Sequence, residues 1–388
     1  MRARGMEGDE EEVQSSKTRI FTNKIHKAAT TQSVITLSDY VQDLTVDIIG
    51  EVVMGYDFRA QLTEDGYGEK GPKGVLTAMK MILGWMFNEE KALNPFHRFN
   101  FLRPIMLRYY SRIVDTRLAE IIDSRASTQK PLSATRSILN LALQTDDGPL
   151  NPRLRKNFIS QVKSFVFAGE DTTSTTVQWI IYQISKRPHV LAKLRAEHNA
   201  VFGDRLVEEV LAERPQAALS GMVYTAAVIK ETLRFNPPAG TARSAPKGSG
   251  FSVLVGGERM RLDGSMLFVN HHIIHKNEKY WGPTASEFIP ERWFSPDIKD
   301  ILAAGAYRPF ERGPRACMGK ELALIESKVI LALICREFDF EKAGFDGVTQ
   351  EEVYDVSPIL PKSGFLPLPG SEPLFTGAVL WSRALRMM

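Results

Sequence analysis

Phe310-Glu311-Arg312-Gly313-Pro314-Arg315-Ala316-Cys317-Met318-Gly319 runs directly into a segment with helical patterning, from about Met318 to Arg336. A thiol placed just before a helix meets backbone N–H donors and the positive end of a dipole, and both favour its charged form. Gly313 and Gly319 clear side chains where a flat group could approach the backbone. Arg315, two residues from the sulfur, can reach an anionic group on the same ligand. Phe310 can cover the sulfur and keep water away. Taken alone, Cys317 reads as a small core hydrophobe, as most free cysteines do. Its neighbours reverse that reading. Cys335, the second of two cysteines, lies in the apolar run Val329 to Cys335 and reads as core.

The spacing of Phe310, Gly313, Arg315, Cys317 and Gly319 resembles the F-x-x-G-x-R-x-C-x-G signature of cytochromes P-450, complete at all five fixed positions. At background residue frequencies a chain of this length matches that pattern by chance about once in ten thousand. The resemblance implies that Cys317 is the axial thiolate ligand to the iron of haem b (iron protoporphyrin IX), pushing electron density that favours O–O cleavage. It implies that Arg315 meets a haem propionate. It also implies that Arg243, in the loop after Pro237-Pro238, is a second propionate partner.

Well upstream, a long helix is predicted from Asn151-Pro152, with the Asn as cap and the Pro in the first position, to about Lys186. In its middle stand Ala168-Gly169-Glu170-Asp171-Thr172-Thr173. Gly, Asp and successive threonines lower helix propensity, and a local break of the rules inside a strong pattern often marks a functional site. The bland reading is that the threonines bond back to carbonyls and bend a core helix. The segment resembles the family's A-G-x-D-T-T element. That likeness implies a helix crossing the haem face opposite the thiolate. Ala168 and Gly169 would line the oxygen pocket, and Asp171 with Thr172 would deliver protons.

Glu231-Thr232-Leu233-Arg234 sets a carboxylate and a guanidinium on one helix face, ordinarily a solvated pair. It resembles the family's E-x-x-R. With Pro290-Glu291-Arg292-Trp293, this implies a buried network of Glu231, Arg234 and Arg292 that locks the core around the cysteine loop. In His271-His272-Ile273-Ile274-His275, the two histidines four apart could hold zinc if helical, with Glu278 as a third ligand. They follow a β-type run, and the resemblance implies a strand and connector there.

The chain has 388 residues, 43% hydrophobic and 24% charged, with 49 basic and 46 acidic residues for a net charge of +3. No basic tract suggests nucleic acid, and two cysteines make no disulfide framework. No run approaches the roughly 18 apolar residues of a membrane span, so no transmembrane segment is expected. An intracellular setting is expected, although the resemblance implies relatives anchored in the endoplasmic-reticulum membrane.

Leu44, Ile48, Ile49, Val52 and Val53 mark a helix from about Leu37 to Phe58, stopped at Gly55. A loop is predicted over Glu64 to Gly74, a helix from Pro188 closed by Gly203, and another over Ser220 to Phe235. Strands are predicted over Phe251 to Val255 and Met266 to Asn270. The expected fold is mainly α with small β-sheets. It is the cytochrome P-450 fold with the N-terminal part of the β lobe missing. Residues 1–36 read as a polar, possibly disordered segment, 37–370 as the haem domain and 371–388 as a tail. The resemblance implies a monooxygenase that inserts one atom of O2 into a small apolar organic substrate, with electrons from a separate NADPH-dependent reductase. The rivals are a haem-thiolate isomerase or dehydratase without external electrons, and a non-catalytic haem-binding fragment.

Overall fold

Phe21, Ile25 and Ala28 recur at helical spacing, and all three are buried on helix α1 (Arg4–Thr30). The segment 1–36, expected to be polar and possibly disordered, thus carries a helix over most of its length. The acidic run dominates the segment's composition and hides an apolar stripe only three residues deep. The computed structural model describes residues 4–31, 33–62, 74–87, 102–127, 137–144, 151–342 and 359–361. Most of the loop expected over Glu64 to Gly74, and the tail 371–388, lie outside the described residues.

Two units make up the chain, Met1–Met222 with Ile325–Met388, and Val223–Leu324. In the first, α2 (Leu37–Met54) buries Leu44, Ile48, Ile49, Val52 and Val53, and Gly55 closes it by donating its N–H to Glu51 O at 2.7 Å. Helices α3 (Val75–Phe87), α4 (Leu102–Ser127) and α5 (Ile138–Gln144) follow. Helix α6 (Pro152–Ser185) begins as its sequence predicts, the Asn151 side chain accepting from Leu154 N at 2.9 Å. Its main partner is α2.

Helices α7 (Pro188–Phe202), α8 (Val207–Glu213) and α9 (Pro215–Gly221) come next. The helix expected over Ser220 to Phe235 is interrupted. Met222 leaves the helical region (φ −80, ψ 65), and α10 (Val223–Phe235) starts after it. Gly221 weakens the helix there, and the Met222 side chain is fully buried among Phe202, Val207, Val210, Leu211 and Leu219. Packing decides the break.

In Val223–Leu324, α10 precedes strands β1 (Thr241–Ser244), β2 (Ser252–Val255), β3 (Glu258–Arg261) and β4 (Met266–Val269). The runs expected to be strands are β2 and β4, but they do not pair with each other. β2 pairs antiparallel with β3 across Gly256-Gly257, whose φ of 60 and 88 suit a two-residue hairpin turn. β4 pairs with β1, setting Arg243 opposite Leu267. Asn270 ends no strand. It caps α11 (His271–His275), accepting from Ile273 N at 3.2 Å. Helices α12 (Glu278–Trp281) and α13 (Ile298–Ala303) and two 3-10 turns (Pro290–Phe294, Gly313–Arg315) lead to α14 (Lys320–Cys335). From Ile325 on, α14 belongs to the first unit, where Val329, Ala332 and Leu333 join the Met222 cluster. Strands β5 (Phe340–Lys342) and β6 (Ile359–Pro361) form a last antiparallel pair. No helix among the described residues is long and apolar enough to cross a membrane.

Candidate functional site

Cys317 sits in the loop between the Gly313–Arg315 turn and the start of α14 at Lys320. Its N–H donates to Phe310 O at 2.8 Å, and Ala316 N donates to Gly313 O at 3.0 Å, so the loop is closed on itself. The left-handed φ of 78 at Gly313 accounts for that glycine without any ligand. Gly319 is different. A Cβ there would meet only the Cys317 sulfur, at 3.9 Å, an ordinary contact, so no described protein atom requires this glycine. Residues Arg312 to Met318, Arg315 and Cys317 included, are all exposed on their unit, and Phe310 is half-buried.

The two thiols differ sharply. Cys335 is fully buried, and burial pushes its thiol up to about 12. Cys317 is the exposed one. A thiolate ligand must be both deprotonated and reachable, so only Cys317 suits a metal. The donor set therefore fits a haem held by one thiolate. Arg315 stands in the same loop, and Arg243 lies on β1 with its Nη1 donating to Ala242 O at 2.9 Å.

Ala168, Gly169, Asp171 and Thr172 lie on α6, in the other unit, and the helix runs through them unbroken. Thr172 Oγ1 donates to Ala168 O at 2.7 Å, and Thr176 Oγ1 to Thr172 O at 2.8 Å. These are the back-bonds that the bland reading of the threonines foresees. Gly169 has a structural duty as well. A Cβ there would lie 2.7 Å from Ile49 Cδ1, so any larger residue would force Ile49 on α2 to shift. Close by, Thr45 Oγ1 donates to Glu170 O at 3.1 Å.

Glu231 and Arg234 have no exposed side-chain surface. Glu231 Oε1 accepts from Arg234 Nη2 at 2.7 Å, Arg292 Nε at 3.0 Å and Ile289 N at 2.8 Å. Its Oε2 accepts from Arg234 Nε at 2.9 Å and Trp293 Nε1 at 3.1 Å. The remaining Arg234 donors reach His275 O, Ala285 O and Glu287 O at 2.7–2.9 Å. Each charge is thus matched by hydrogen bonds, the condition for tolerating a buried ion pair. Trp281 lies under Arg234, its ring centroid 4.9 Å from the guanidinium carbon. The phenol of Tyr307 is pushed well up by burial and by the Glu231 charge.

The histidines of α11 serve this framework. His275 Nε2 accepts from Arg308 N at 2.9 Å, while His271 contacts Ala239 O through Nδ1 at 2.8 Å and Glu311 Oε1 through Nε2 at 3.1 Å. No group of three or more His, Cys, Asp or Glu able to hold a metal ion occurs among the described residues. Glu311 and Tyr307 carry no motif of their own, and sequence reasoning passes over both.

A model of the cytochrome P450 family matches residues 3–361 of the chain. The match takes in most of 1–36, beyond the region where motifs carry the resemblance. Among curated proteins, the chain is 31% identical to cytochrome P450 monooxygenase acrF of Aspergillus aculeatus, over 84% of this chain and 68% of that protein. It is 33% identical to cytochrome P450 monooxygenase polC of Polytolypa hystricis, over 77% of this chain and 54% of that one. It is 28% identical to the alkane hydroxylase MAH1 of Arabidopsis thaliana, over 85% and 65%. The chain thus spans about half to two thirds of the length of these relatives. An exposed cysteine loop before a helix, a saturated Glu-Arg-Arg core and a family match along nearly the whole described length together place this chain in the cytochrome P450 family.

Proposed function

We propose that the chain carries the haem-thiolate centre of a monooxygenase acting on a small apolar organic substrate. The observation that carries this is the contrast between the two thiols: one is sealed in a helix core, and the other is presented on a closed loop three residues before a helix. Haem b bound there would supply the reductive activation of O2, one atom going to substrate and the other leaving as water. Cys317 would hold the iron as thiolate. Arg315 and Arg243 would hold the propionates by charge-assisted hydrogen bonds, and Phe310 would keep water from the sulfur. Gly319, which no contact among the described residues explains, would leave room for a flat ring against the backbone.

On α6, Asp171 and Thr172 would hold and move protons at the Asp171 carboxylate and Thr172 Oγ1. For that, Thr172 Oγ1 must give up its donation to Ala168 O for another acceptor, one hydrogen bond for another. Ala168 and Gly169 would leave the room. Electrons would come from a separate NADPH-dependent reductase. The alkane hydroxylase among the relatives is consistent with an apolar substrate.

The test is the carbon monoxide difference spectrum of the reduced, haem-loaded chain and of Cys317→Ser. The parent should give the red-shifted Soret band of a thiolate ligand, and the variant should lose it. An identical spectrum in the variant would remove Cys317 from the iron.

A further inference from the structure

Only two described residues other than glycine have positive φ, Arg59 at 52 and Glu311 at 57. The left-handed region favours glycine, or asparagine and aspartate, and a glutamate held there calls for a reason. Glu311 directly follows Phe310, the residue whose carbonyl receives the Cys317 N–H at 2.8 Å. That carbonyl belongs to the peptide plane joining 310 to 311, so φ of Glu311 and ψ of Phe310 together aim it. The backbone of residue 311 therefore sets the bond that closes the cysteine loop.

The side chain of Glu311 is where that conformation is fixed. Its carboxylate is 11% exposed, and Oε1 meets His271 Nε2 at 3.1 Å. Oε2 accepts from Arg308 Nε at 3.0 Å, from Arg308 Nη2, and from its neighbour Arg312 N at 3.3 Å. Thr241 adds a side-chain hydrogen bond. The anchors are themselves anchored. His271 is buried with Nδ1 on Ala239 O, and Arg308 N donates to His275 Nε2 at 2.9 Å. His275 O in turn accepts from the fully buried Arg234 at 2.9 Å. The carboxylate thus ties the mouth of the cysteine loop to α11 and, through it, to the Glu231–Arg234 core.

We propose that Glu311 is a positioning residue for Cys317: its carboxylate, latched to His271 and Arg308, holds the peptide that closes the loop and so presents the thiolate. This rests on Cys317 being the iron ligand, but the latch is also a property of the chain without haem. Glu311→Gly keeps the left-handed φ at no cost and removes the latch. Glu311→Gln keeps the length and an acceptor oxygen.

The test uses the full chain with two readings. Without haem, hydrogen exchange at the Cys317 amide is followed. With haem, the reduced carbon monoxide spectrum is divided between its thiolate-type and neutral-ligand bands. In Glu311→Gly the amide should exchange about tenfold faster than the accompanying fall in thermal midpoint accounts for, and part of the thiolate-type band should move to the neutral-ligand position. His271→Ala should do the same, its effect should not add to that of Glu311→Gly, and Glu311→Gln should recover most of the parent behaviour. Parent exchange rates and parent spectrum in Glu311→Gly would overturn the proposal. If that variant loses its fold, Glu311→Asn decides. Asparagine accepts the left-handed φ but is too short for the latch, so parent behaviour in it also overturns the proposal. A parent chain without any thiolate-type band would instead overturn the assignment of Cys317, and the amide exchange would still judge the latch.

Discussion

Gly169 has a proposed role in leaving room for oxygen and an observed one in the passage of α2 over α6. The second can be measured without haem. In an open helix, Gly→Ala gains about 0.5–1 kcal/mol from backbone entropy. Here a Cβ would lie 2.7 Å from Ile49 Cδ1 and 2.8 Å from Ile49 Cγ1, on a residue itself 7% exposed. Overpacking of that kind costs about 1–3 kcal/mol, more than the entropy gained. Gly169→Ala is therefore expected to lower the urea midpoint. Ile49→Ala alone, which opens a cavity, costs about 2–4 kcal/mol. The double variant should lose less than the two losses summed, because the added methyl occupies space that Ile49 vacates. Strict additivity would show that the two side chains do not meet.

At the scale of elements, the union of α10 with the Pro290–Phe294 turn depends on one carboxylate. Glu231→Ala leaves the buried Arg234 and the half-buried Arg292 guanidinium groups, the Trp293 N–H and the Ile289 N–H without this acceptor, and is expected to cost about 3–5 kcal/mol. Loss of near-ultraviolet circular dichroism from the surrounding tryptophans should accompany the fall in midpoint, and an unchanged signal would contradict the network. Glu231, Arg234 and Arg292 are legible in the sequence because their spacing is short and fixed. The same holds for α2 and α6, whose stripe, cap and first-position proline are local signals. What escapes is decided by partners distant along the chain. Strand β3 is Glu258-Arg259-Met260-Arg261, exposed throughout, with no alternation to betray it, and β4 finds β1 across a hairpin. Met222 breaks a helix because a core elsewhere claims its side chain. Glu311 reads as one more surface charge until its φ and its anchors are seen.

Across the whole molecule, buried titratable groups set how stability responds to acid. Burial, reinforced by the charges of His271 and then Arg234, depresses His275 from 6.5 to about 3. Burial and Arg336 take His198 to about 4, and burial and Lys276 take His272 to about 4. These groups are neutral in the folded chain and protonate when it unfolds. Their contribution is thus whole above about 6.5 and is lost as pH falls toward 3–4. Fully buried His275 alone should cost on the order of 2 kcal/mol at pH 5. Glu326 has the opposite sign. Burial raises its carboxyl well above 4.5, and Oε1 has no hydrogen-bond partner among the described residues. The folded chain holds that proton while the unfolded chain releases it, so this contribution is present below 4.5 and is lost as pH rises. Asp47, also buried and raised by burial, acts in the same direction as Glu326; between pH 7 and 5 the three histidines outweigh these two carboxyls, and the urea midpoint should fall. His275→Gln, whose amide oxygen reaches the place of Nε2 and still accepts from Arg308 N, should flatten that fall by the weight of one proton. Glu326→Gln should leave the acid side steep and raise the midpoint at pH 8. A midpoint independent of pH from 7 to 5 would mean that these imidazoles take up protons as readily in the folded chain as in the unfolded one, and His275, once charged, could no longer accept through Nε2 the Arg308 N–H that secures the cysteine loop.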